Sequence, residues 1–182
     1  MSDVRSYRIF VASASKLLTD HKPFGEGLIS WDVLSGLAAR GHDVVACARH
    51  VDLSSDPPFR VEAIGRVSRF ETLEPLAYAR RASRILSDLG GSSRFDLVHW
   101  LFPQGRLVFR PPPGLAYVVG PWFTRWSKGN DRQERTVQGA LLAAFASPLF
   151  RRRRRRALAA ASTVLFCTPE AASVAPEVGS KA

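Results

Sequence analysis

Three short stretches of this chain carry residue types suited to holding an anionic or polyhydroxylated ligand. The first is Phe24-Gly25-Glu26-Gly27, set at the start of a helical pattern. Glycines let a backbone come close to a ligand, and N–H groups at a helix start attract negative charge. The second is His99, at the end of the run Leu97-Val98-His99, where an imidazole can bind a hydroxyl or carbonyl and titrates near neutral pH. The third is Gly120-Pro121-Trp122, which follows the run Ala116 to Val119. Trp122 and Trp126 offer flat faces for stacking on a sugar, as Trp31 and Trp100 could, although Trp31 also shares an apolar helix face. Thr168 and Glu170 follow the last apolar run and add polar groups. Each has a plain structural alternative: flexible loop glycines, a satisfied structural histidine, tryptophans packed in a core.

Other chemistries lack their residues. There is no Gly-x-Ser-x-Gly elbow, P-loop or metal-binding pair of histidines. Gly25-x-Gly27-x-x-Ser30 comes near the dinucleotide fingerprint, but ten residues separate Ala14 from Gly25 and Ser30 replaces the third glycine. Arg49 stands where that fingerprint's strand would end in an acid. An NADP-binding Rossmann domain, with Arg49 on a 2′-phosphate, is the lowest-ranked reading.

These groups need elements to position them. Six strands are expected, at Tyr7–Ala14, Asp43–Ala48, Arg60–Ile64, Leu97–Trp100, Ala116–Val119 and Thr163–Cys167. Most are continuous apolar runs, as in a parallel sheet buried on both faces. Leu28, Trp31, Leu34, Leu37 and Ala38 recur at helical spacing, and Gly41 follows where a left-handed cap belongs. A second helix is expected over Leu73–Leu89, stopped by Gly90-Gly91, and a third helical region over Gln133–Ala160, broken near Pro148. Strands alternating with helices give an α/β fold: a Rossmann-like parallel sheet flanked by helices.

The chain has 182 residues, the size of one domain, and a formal net charge of +10. Six of those charges lie in Arg151 to Arg156, so the rest carries only +4. That run reads first as a solvated segment, next as a contact for an anionic membrane surface, with nucleic acid ranked below both. Two cysteines, Cys47 and Cys167, end apolar runs and read as free buried thiols. No signal-peptide core or membrane span is legible, so a cytoplasmic protein, soluble or peripheral to a membrane, is expected.

Together, Phe24-Gly25-Glu26-Gly27, Leu37-Ala38-Ala39-Arg40-Gly41-His42-Asp43-Val44, Phe95-Asp96-Leu97-Val98-His99 and Arg156-Ala157-Leu158-Ala159-Ala160-Ala161-Ser162 carry a resemblance. In their order and spacing they resemble the N-terminal domain of family 4 glycosyltransferases, one half of a GT-B architecture. The resemblance implies metal-independent transfer of a sugar from a nucleotide-sugar co-substrate to an acceptor, lipid-linked or small, with no further cofactor. It places Gly25, Glu26 and Gly27 near the donor phosphates and the transferred sugar, and His99 at the family's strand-end histidine. Gly120, Pro121 and Trp122 stand where many relatives carry a histidine facing the sugar. Val119-Gly120-Pro121-Trp122-Phe123-Thr124 has none, so no catalytic residue is assigned.

The family's donor-side E-x7-E pair has no counterpart, since no two glutamates stand eight positions apart. Residues 1–182 are therefore expected to form a single acceptor-side domain lacking its C-terminal donor-binding half, whether as a fragment, a truncated product or a subunit working with a partner chain. Such a chain alone is expected to be nearly inactive. A non-catalytic binding or regulatory module on the same fold is the alternative.

Overall fold

The computed structural model describes residues 5–13, 15, 17–65, 74–101, 112–122, 148, 152 and 155–166, with the backbone only for Pro121 and Trp122. Six strands, β1 (Arg8–Ser13), β3 (Asp43–Ala48), β5 (Arg60–Ala63), β6 (Leu97–Leu101), β7 (Ala116–Trp122) and β8 (Thr163–Phe166), form one sheet. All pair in parallel, in the order β5-β3-β1-β6-β7-β8. The chain winds outward from β1 to β5, then crosses back to β6 on the other side of β1. That doubly wound order opens a crevice beyond the carboxyl ends of β1 and β6.

The six expected strands are all present, with ends shifted by up to three residues. Two-residue strands β2 (Leu18–Thr19) and β4 (Val51–Asp52) are additional. They pair in parallel, so the segments leaving β1 and β3 are stitched together above the sheet, with Leu18 N–H donating to the His50 carbonyl at 2.8 Å. Asp20 adds a second tie by accepting from the Ser54 N–H at 2.9 Å and from the Ser54 hydroxyl. Those hydrogen bonds, first from Ser54 and then from His21, hold the Asp20 carboxyl far below the usual carboxylate range.

Helix α1 (Gly25–Ala39) begins three residues before the expected Leu28. Its buried line is Gly27, Ser30 and Leu34, while Trp31, Leu37 and Ala38 are half-buried beside it. Small residues at the start of the line let the first turn lie close to β1. The Gly41 cap is as expected: φ is 83°, Gly41 N–H donates to Ala38 at 2.9 Å and His42 N–H to Leu37 at 3.3 Å.

Helix α2 (Glu74–Asp88) packs on the opposite face of the sheet, burying Leu76, Ala79, Ala82 and Leu86 against Phe10, Val98 and Trp100. Gly90, at φ 107°, ends it. Of the third helical region, residues 155–160 are helical, and Ala157 and Leu158 join the same core as α2. At the foot of the sheet, Asp96 holds Arg8 through its backbone N–H at 2.8 Å and its guanidinium at 3.0 Å, fixing the stagger of β6 on β1.

Candidate functional site

The crevice between β1 and β6 is built first from hydroxyls. Ser13 ends β1 with its Oγ 3.0 Å from Ser15 Oγ and 3.2 Å from Ser30 Oγ, and all three residues are fully buried. Ser30 donates to the Glu26 carbonyl at 2.7 Å and Ser15 to the Leu17 carbonyl at 3.2 Å. With those two hydrogens committed, Ser13 donates to one neighbour and only accepts from the loop beyond. The cluster pins the first turn of α1 to the end of β1. The sequence singled out Ser30 only as a departure from the dinucleotide fingerprint. Its role could have been found by asking what a small hydroxyl residue does one turn into a helix facing a strand.

Gly25 and Gly27 both lie inside the first turn of α1 rather than in a loop before it. They differ in surroundings. A Cβ on Gly27 would lie 2.5 Å from the Leu17 carbonyl oxygen, whereas one on Gly25 would meet nothing within 4 Å. Gly27 is therefore demanded by packing, and Gly25 is exposed on the open side of the turn. Glu26 lies between them, half-buried. The residue before the helix, Phe24, provides no side-chain cap, so α1 starts without the internal acceptor that most helices place on their first amides.

His99 lies within β6, two residues short of its end, and is 8% exposed. Its Nε2–H donates to the Gly120 carbonyl oxygen at 2.9 Å. A carbonyl can only accept, so this bond sets the tautomer and leaves Nδ1 as the acceptor of a neutral ring. Burial lowers the His99 pKa, the Gly120 contact opposing it in part. Gly120 has φ 139°, and a Cβ there would sit 2.5 Å from the Leu165 carbonyl oxygen of β8. The register of β7 on β8 shifts between Val119 and Trp122 at this point. Gly120 is thus a close-packing glycine in an irregular strand, with its carbonyl turned to His99.

Arg49, just beyond β3, is buried with Nη1 3.1 Å from Glu74 Oε2, and its Nε–H donates to the Ser15 carbonyl at 3.3 Å. The guanidinium lies 6.0 Å from the Tyr78 ring centre, and Tyr78 donates to the Cys47 carbonyl at 2.7 Å. This corrects Arg49 as a phosphate ligand for a dinucleotide: its charge is spent on joining the β1 loop, β3 and α2. The pairing was hidden in sequence because Glu74 lies 25 residues away.

Trp100 also leaves the set of sugar-facing rings, being 2% exposed and edge-on to Tyr78 at 5.7 Å. Trp31 packs on Phe59 at 5.5 Å, as its helix position suggested. The side chain of Trp122, and all of Trp126, Thr168 and Glu170, lie outside the described residues. Among the described residues no three metal-binding side chains cluster.

A doubly wound sheet with an uncapped helix start, buried hydroxyls and a neutral histidine around its crevice defines a Rossmann-type ligand-binding domain. The chain matches the family described as glycosyl transferase 4-like domain over residues 25–182 and belongs to that family. No curated protein matches it.

Proposed function

We propose that the chain is the acceptor-side half of a GT-B glycosyltransferase and helps transfer a sugar from a nucleotide-sugar to an acceptor. The observation that carries this is the coincidence of family and place. The family match begins at Gly25, the residue that opens α1 at the mouth of the β1–β6 crevice.

In this reading Gly25 and Glu26 face the donor's phosphates and sugar, with the α1 amides and helix dipole favouring the negative charge. His99, neutral and held by Gly120, accepts a hydroxyl proton or hydrogen bond at Nδ1. Gly27 and Gly120 shape the wall by allowing backbones to approach, and Trp122 and Glu170 stand at neighbouring strand ends. The nucleotide sugar is a co-substrate and no other cofactor is called for. A donor-binding half, in the same polypeptide or a partner chain, supplies the opposing wall and most contacts to the leaving diphosphate. Stabilising that developing charge is the larger part of such a reaction.

The test is turnover with a panel of nucleotide sugars and candidate acceptors. The isolated 182 residues should show negligible transfer, and addition of a donor-binding half should restore it. Robust transfer by the isolated residues would overturn the division of labour, and no transfer with any donor half would favour a non-catalytic module.

A further inference from the structure

The arginine run is one part of a larger basic face. On α2 the buried line is Leu76, Ala79, Ala82 and Leu86, which turns Arg80, Arg81 and Arg84 outward, and all three are exposed. Arg152, Arg155 and Arg156 are exposed as well, and residues 155–160 pack through Ala157 and Leu158 into the same core as α2. Both helical segments therefore lie in one layer on one face of the sheet, and six arginines point away from it. The acids that α2 contributes are few: Glu74 is taken up by Arg49, leaving Asp88 at the far end.

We infer that this face docks on an anionic lipid surface, through Arg80, Arg81 and Arg84 together with the 151–156 run. Charge complementarity is the first argument, since clustered basic side chains are drawn to the negative surface of a bilayer. The pattern of neighbours is the second. Exposed Ala159 and Ala160 follow the arginines, and the sequence from Leu141 to Phe150 immediately before them is almost wholly apolar. Apolar residues next to a basic run suit an interface between headgroups and acyl chains. A nucleic-acid surface would instead need aromatic platforms for bases, and among the described residues this face exposes no aromatic ring. The inference stands apart from sugar transfer, because the face is the outer side of a helical layer and not the β1–β6 crevice.

The test is sedimentation of the full chain with phosphatidylcholine vesicles containing about one third phosphatidylserine. The chain should bind at low salt, release at high salt and ignore pure phosphatidylcholine. Replacing Arg80, Arg81 and Arg84 together by Gln should weaken binding by up to about 100-fold, roughly fivefold per charge. The matching triple Lys variant should bind like the parent chain, separating charge from any effect on folding. Three results would overturn the inference: no binding of the parent chain at low salt, undiminished binding of the Gln variant, or tighter binding to an RNA oligonucleotide than to the vesicles at equal salt.

Discussion

Replacing Gly27 by Ala asks whether the glycine pair at the start of α1 is one feature or two. A Cβ at position 27 would lie 2.5 Å from the Leu17 carbonyl oxygen, 2.9 Å from Phe24 Cδ1 and 3.0 Å from Thr19 Cγ2. Ordinary contact begins near 3.4 Å, so the Leu17 backbone must retreat by about 0.9 Å. That backbone is held by the adjacent β2–β4 pairing and by Ser15 donating to its carbonyl. Overpacking of this kind costs about 1–3 kcal/mol, while alanine returns up to about 1 kcal/mol through helix propensity. The net expectation is a loss of about 1–2 kcal/mol. At Gly25 a Cβ meets nothing, so Gly25→Ala should be neutral or stabilising by up to about 1 kcal/mol. The two variants should therefore differ by about 2 kcal/mol in urea denaturation and by about 4–8 °C in Tm. In ligand binding the order should reverse, with Gly25→Ala retaining stability but weakening nucleotide-sugar affinity. Equal stability of the two variants would refute the packing argument.

Arg49→Met should destabilise by about 2–4 kcal/mol, because it strands the Glu74 carboxylate at a largely buried site, and Arg49→Met/Glu74→Gln should recover part of that loss in a double-mutant cycle. Ser30→Ala should cost about 1 kcal/mol by removing the bond to Glu26 and the contact to Ser13, measurable by urea denaturation. His99 is lowered in the folded state by burial, so the unfolded chain binds its proton more readily. Stability from this residue should be intact above about pH 6.5 and fall as the pH drops below that. Denaturation midpoints measured downward from neutral pH should show the decline, and His99→Gln should flatten it. Burial pushes the Cys47 thiol up to about 12. Cys47 should therefore escape iodoacetamide at pH 8 in the native protein and react once unfolded, as peptide mass spectrometry would show.

Local features were legible where a single residue type carries the signal. The apolar runs marked all six strands of the sheet because parallel strands are buried on both faces, and Gly41 and Gly90 marked helix ends because only glycine takes their positive φ cheaply. Strand order was not legible, since it depends on pairings such as Val11 with His99 that no local pattern records. Strand β7 continues to Trp122 rather than stopping at Val119, because the irregularity at Gly120 carries Pro121 through the sheet. β2 and β4 have two residues each, too few to show a period. At the site, the sequence marked Gly25 and Gly27 alike, and only the position of the Leu17 carbonyl separates them. His99 was found by its type, but its tautomer follows from a carbonyl 21 residues away.

The most direct test of the central claim is an amide and histidine NMR titration of the chain with a panel of nucleotide sugars and their nucleoside diphosphates. Binding at the β1–β6 crevice should shift the Gly25 and Glu26 amides and the His99 ring together, leaving the amides of α2 unmoved. Shifts confined to residues away from the crevice, or a saturating ligand that leaves Gly25 and His99 in place, would contradict it.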